Sequence, residues 1–301
     1  MTGTGMHRMR YMFNPELFFI SQDIYSSESA FFNYPFNVSP VTDNRPFFYD
    51  FKRGLPSTLT SIFLIFTVLL TGLIWRAIRS QPSEEYLFAY HNPLQVFLAL
   101  FTLLGIGYMM AEIALFQKLL PYFGNPTLAL SVLLAMLLMG SGMGSLISHR
   151  IRGESILRKC RLAATGGGGT LLLLLIITAQ PRFTITIWSQ VLLLILLFGT
   201  GVFLGFPFPL MVRYAADRGL RHRIPWFWAI NGVASVTGSV LAVILAKWFG
   251  WTVTLGLAGC LYLWIAILVY RKKGRVVFEI PPDQKRDMIF WTDTSELLPE
   301  E

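Results

Sequence analysis

The sequence predicts an all-α integral membrane protein, a bundle of about seven transmembrane helices with six as the alternative count. Three observations lead there. Of 301 residues, 54% are hydrophobic and only 14% charged, with mean hydropathy +0.55, a composition outside the soluble range. The apolar residues gather into runs close to the roughly 20 residues a helix needs to cross about 30 Å of hydrocarbon. The lysines and arginines fall between those runs, with alternate gaps rich and poor in them.

The runs lie at about Leu55 to Trp75, Pro93 to Phe116, Thr127 to Ile147, Leu162 to Ala179, Ile187 to Leu210, Trp226 to Trp248 and Trp251 to Tyr270. All read as helices, because open strands cannot satisfy their backbone groups in lipid. One set of gaps holds Arg76, Arg79, Arg150, Arg152, Arg158, Lys159, Arg161, Arg213, Arg218, Arg221, Arg223, Arg271, Lys272, Lys273 and Arg275. The other holds Lys118, Arg182 and Lys247, a split of 15 against 3. The positive-inside rule then puts the C-terminus in the cytoplasm of a cell (inner) membrane.

Seven spans leave residues 1–54 outside, although this soluble-looking segment has Arg8, Arg10, Arg45, Lys52 and Arg53 of its own. The alternative is that one run does not cross. The second is the weakest, since its end, "LFQKLLPYFGNP", is polar and proline-bounded enough to be interfacial or re-entrant. The chain therefore divides into a soluble segment at 1–54, a helix bundle at 55–270 and a loosely ordered cytoplasmic tail at 271–301.

A net charge of +8 and a pI near 9.6 do not indicate a nucleic-acid binder, whose basic residues would gather on one face or tail. Cys160 falls in a basic loop and Cys260 in an apolar run, so neither a disulfide framework nor a metal-ligand spacing is present. The first 50 residues lack the apolar core of a signal peptide, and the first span is expected to serve as its own insertion signal. His7, His91, His149 and His222 are scattered, and no hydrolase or nucleotide-binding motif occurs, so no catalytic residue and no cofactor is assigned.

Two residues are candidates for an intramembrane polar site. Glu112, in "GYMMAEIALFQK", is the acidic residue well within a predicted span. Such a carboxylate belongs either to a transport or proton path or to an interfacial pair, here with Lys118 or a loop arginine. Asn231, in "PWFWAINGVASVTGSVLA", reads as polar glue between helices, with Ser235, Thr237 and Ser239 beside it and Trp226 and Trp228 at the interface. Gly140 and Gly144, and Gly201 and Gly205, form GxxxG pairs that mark packing seams. "TGGGGT" at Thr165 to Thr170 has neither the strand nor the acidic residue of a dinucleotide site. Pro207 and Pro209 in "GFPFPLMVR" predict a kink or stop.

Four stretches then occur in a telling order: "SPVTDNRPFFYDF", "MAEIALFQKLLPYFGNPTLALSVLLAMLLMGSGMGSLIS", "GVFLGFPFPLMVR" and "PWFWAINGVASVTGSVLAVILAKWFG". Together, over about Asn37 to Tyr270, they resemble the C-terminal membrane part of the spermidine synthase-like (polyamine aminopropyltransferase-like) membrane proteins of bacteria. In that family a Rossmann-type domain precedes the membrane helices. The resemblance implies that the stretch before Asp50 is the exit from such a domain, and that Met1 begins a split or truncated form. The nucleotide-binding body is missing, so catalysis is not carried over. What the resemblance implies is a lipid-embedded anchor or partner of a separately encoded Rossmann-type domain, non-catalytic alone. The alternative is a small-solute or polyamine transporter.

The knot "TDNRPFFYDF" reads as a juxtamembrane hinge. Asp43 or Asn44 can bond the backbone that follows, and Pro46 forces Arg45 towards an extended conformation. The aromatics then lie at headgroup level, with Lys52 and Arg53 at the phosphates.

Overall fold

The computed structural model describes Asn44 and residues 55–80, 91–151, 155–179, 187–218 and 220–271. These residues form helices and no strand: α1 (Ser57–Arg79), α2 (His91–Phe123), α3 (Pro126–Ser148), α4 (Ser155–Ala179), α5 (Ile187–Gly205), α6 (Pro207–Asp217), a 3-10 turn (Arg221–Arg223), α7 (Ile224–Phe249) and α8 (Trp251–Arg271). With α5 and α6 taken as one broken element and the 3-10 turn joined to α7, seven segments are long and apolar enough to cross a membrane. The chain is thus an all-α protein with the helices of a multi-span membrane protein.

Several boundaries differ from expectation for local reasons. The second span does not stop at Phe116; α2 continues through Gln117 and Lys118 to Phe123, and Pro121 falls in its last turn, where little of the ladder remains to be broken. Gly124 then turns the chain at φ 64°, and the Asn125 side chain caps α3 by accepting from Thr127 N at 2.9 Å, with Pro126 in the first turn. Nor is α2 an interfacial helix: half of its apolar window is buried, against 6% for α1. The start of α4 moves from Leu162 back to Ser155, so Cys160 lies in a helix, fully buried, and not in a basic loop. The expected proline break falls at Phe206, and α6 restarts with Pro207 in its first turn, where a missing N–H costs no bond.

α2 lies at the centre, against α7, α8 and α3, while α4 packs on α8, α3 on α5 and α1 on α7. The contacts also give direction. Phe227 stacks on Phe101 and Gly238 abuts Ile106, so α7 runs parallel to α2. Gly140 meets Phe198 while Gly144 meets Phe206, so α5 runs parallel to α3. Gly107 meets Tyr262 while Lys118 meets Thr252, so α8 is antiparallel to α2; Leu172 meets Gly259 while Leu175 meets Gly256, so α8 is antiparallel to α4 as well. Those senses are the ones that seven alternating passes require.

One end of the bundle collects the basic residues. Arg213 Nη1 donates to His149 O at 2.6 Å, and the Arg161 guanidinium lies 5.2 Å from the Tyr270 ring. Arg223, only 4% exposed, donates from Nη1 to Ala77 O at 2.9 Å and ties the end of α1 to the start of α7. Among the described residues α1 touches little besides α7, so Arg223→Ala is expected to lower stability by about 1–3 kcal/mol and to loosen α1 first. Hydrogen exchange should show faster exchange around Ala77; unchanged protection there would mean lipid alone holds α1.

Candidate functional site

The predicted glycines line a single seam between α3 and α5. A Cβ at Gly140 would collide with Phe198 O, at Gly144 with Val202 O and at Gly205 with Ser141 O; at Gly201 it would lie 2.8 Å from Leu137 O. Only the absence of side chains lets these backbones touch. Three further contacts of this kind escape the GxxxG pattern. A Cβ at Gly105 would lie 2.5 Å from Asn231 O, at Gly238 2.7 Å from Ile106 O, and at Gly168 2.8 Å from Gly259 O. Gly105 and Gly238 come from different helices, so no spacing within one helix announces them, whereas Gly168 lies in the "TGGGGT" run.

Asn231 is engaged in that packing. Its Nδ2 donates to Phe101 O of α2 at 2.9 Å, and its own carbonyl accepts from Ser235 Oγ at 2.9 Å. The rings of Phe101 and Phe227 stack next to it at 4.8 Å, with Phe208 edge-on to Phe101 at 5.2 Å. Phe101 and Glu112 stand about 16 Å apart along α2 at about 1.5 Å per residue. Asn231 and Glu112 therefore occupy different levels of the bundle and do not form one site.

Glu112 is half-buried on α2. Lys118 does not reach back to it but donates from Nζ to Thr252 Oγ1 at 2.5 Å. Among the described residues no cation acts on the Glu112 carboxylate. Its polar neighbour is Tyr108, one turn earlier and within electrostatic reach, with Ser141 of α3 near that phenol and the Ser141 hydroxyl donating to Leu138 O at 3.2 Å. Tyr262 of α8, 1% exposed, lies against Gly107 and Gly167 and completes the surroundings of Tyr108. Tyr108, Ser141 and Tyr262 are not singled out by sequence, because hydroxyl residues are common in membrane helices; helix spacing places Tyr108 one turn from Glu112, and only the fold brings Ser141 and Tyr262 to Tyr108.

At the end opposite the basic residues, Asn44 is bound to the start of α8. Its side-chain Oδ1 accepts from Thr252 N and from Thr252 Oγ1, both at 2.8 Å, and its carbonyl accepts from Trp251 N at 3.1 Å. Asn44 thus caps a helix 208 residues away, where the sequence suggested a bond to the backbone following it. Lys118 completes the joint through the same Thr252 hydroxyl. Gly250, at φ 86°, lets α7 turn into α8 directly under Asn44. Asp43, Arg45 and Pro46 lie outside the described residues, as do most of residues 1–54 and the tail beyond Arg271.

Comparison with known proteins finds no matching family model, no matching curated protein and no matching solved structure.

Proposed function

We propose that this chain is a membrane mount: a multi-span protein, non-catalytic by itself, that anchors or partners a separately encoded Rossmann-type domain of the spermidine synthase-like kind. The observation that carries the reading is the Asn44 joint. A passive tether needs one helix and a loose linker, but here Asn44, ahead of α1, is held by three hydrogen bonds to the start of α8, which supports a built attachment point at this end of the bundle. The four ordered motifs, which resemble the membrane part of that family, support this choice of partner. In the same proposal the basic end faces the cytoplasm, so the joint and its partner stand on the other side. Purification from native membranes in mild detergent should bring down a Rossmann-type protein, and Asn44→Ala with Thr252→Val should cut its recovery severalfold. Consistent failure to recover such a partner contradicts the proposal.

A second reading, transport of a small solute or polyamine, is favoured by one observation: a carboxylate well within the most buried helix, one turn from a phenol. Proteoliposomes should then show flux that Glu112→Gln abolishes. Flux no greater than in empty vesicles, or indifferent to the substitution, removes this reading.

A further inference from the structure

Two helices far apart in sequence bring basic residues to one corner of the bundle. α1 ends with Arg76 and Arg79 in its last turn, and the 3-10 turn ahead of α7 is Arg221, His222 and Arg223. The bond from Arg223 Nη1 to Ala77 O, at 2.9 Å, holds the two ends together. Arg223 Nε donates to His222 Nε2 at 3.1 Å, an acceptor that carries no negative charge. Arg76, Arg79 and Arg221 stand exposed beside this joint.

The corner lacks a counter-charge. Topology accounts for arginines at this end of the bundle, but not for burying one of them, and a buried cation is costly unless an anion pairs with it. The described residues hold two carboxylates. Glu112 lies towards the opposite end, about 16 Å from Phe123 at about 1.5 Å per residue, and Asp217 is exposed at the end of α6. Among the described residues neither forms an ion pair with Arg76, Arg79, Arg221 or Arg223, and Arg223 Nη2 meets no acceptor.

The surroundings are those of a lipid headgroup. Trp75 is exposed and carries the Arg79 guanidinium 4.0 Å from its ring, and Trp228 is exposed in the first turns of α7. Exposed tryptophans of this kind mark the interfacial level. Deeper in the span the outer face of α1, with Val68 and Leu69, is apolar and open.

We infer that this corner binds an anionic phospholipid, whose phosphate is received by Arg223 together with Arg76, Arg79 and Arg221 and whose acyl chains lie along α1. Guanidinium groups bind phosphate oxygens through paired, charge-assisted hydrogen bonds, and the phosphate supplies the charge that the described residues do not. A lipid fits better than free phosphate because the cations sit between exposed tryptophans and an apolar helix face. The site stands whether the chain mounts a partner, moves a solute or does neither.

The test uses the full chain in mild detergent, stripped of native lipid. Thermal unfolding and native mass spectrometry follow the addition of phosphatidylglycerol, phosphatidylcholine or sodium phosphate. Phosphatidylglycerol should stay bound and raise the unfolding midpoint saturably, because a ligand that binds only the folded state stabilises it by mass action. Phosphatidylcholine and sodium phosphate should do neither. Arg76→Gln, Arg79→Gln and Arg221→Gln together should weaken the apparent affinity for phosphatidylglycerol about tenfold or more. These positions are exposed and leave the Arg223 bond to α1 in place, so the variant should fold. Arg158→Gln with Lys159→Gln, exposed at the same end on α4, should leave the affinity within about twofold. Equal responses to the two lipids, a shift that sodium phosphate reproduces, or equal losses in the two sets of variants overturns the inference. So does a loss of stability in Glu84→Gln with Glu85→Gln as large as in Arg223→Ala, since the counter-charge is then the chain's own.

Discussion

Replacing Gly144 with leucine is expected to force α3 and α5 apart and to leave little folded protein. A Cβ there already meets Val202 O and comes to 3.3 Å from the Phe206 ring, so four carbons have nowhere to go unless backbone moves. Overpacking against a side chain costs about 1–3 kcal/mol; against backbone the cost should exceed about 3 kcal/mol, a large share of the stability of any domain. The comparison that makes the result specific is Gly142→Leu, two residues away. Nothing lies within 4 Å of a Cβ at Gly142, which is exposed on the outer face, so its replacement should stay within about 0.5 kcal/mol of wild type. Yield of monodisperse protein and unfolding midpoint in detergent decide the matter; equal behaviour of the two variants would mean that the seam does not hold the bundle.

Valine at Gly250 should be nearly as damaging, for two separate reasons. The residue has φ 86° and ψ 165°, a region occupied essentially by glycine alone, and strain of that kind costs about 1–3 kcal/mol. A Cβ would also strike the Asn44 side chain, so the cap on α8 would be lost with it. Gly250→Val should therefore lower the unfolding midpoint more than Asn44→Ala does, since the latter removes only the cap, worth about 0.5–2 kcal/mol. Similar losses in the two variants would place the whole effect in the cap and none in the backbone.

The bundle was legible because lipid imposes a length and a polarity on each helix, and both are visible in composition. The errors sit where a polar residue has a partner that only the fold supplies. Lys118 looked like an exit from the membrane, but its ammonium is received by Thr252 of α8, so α2 could continue past it. Arg158, Lys159 and Arg161 looked like loop, but they ride on the first turns of a helix whose inner face buries Cys160. The GxxxG pairs were readable because both glycines of each belong to one helix, while Gly105 and Gly238 meet across α2 and α7. In the juxtamembrane knot the charged Asp43 and Arg45 drew attention. The residue whose work the structure displays is the neutral Asn44, which can accept two hydrogen bonds on one oxygen at a helix start.

Asn44, ahead of α1, joins the bundle at the end away from the arginines, and seven passes would put the two chain ends on opposite sides of the membrane. Cysteine-accessibility labelling tests this most directly, with Cys160 and Cys260 first replaced by alanine and a single cysteine then placed at Ser21 or Ser295. Ser21→Cys should react with an impermeant reagent applied from outside intact cells. Ser295→Cys should react only after the membrane is opened. Labelling of both positions from the same side would mean an even number of passes and would contradict the account.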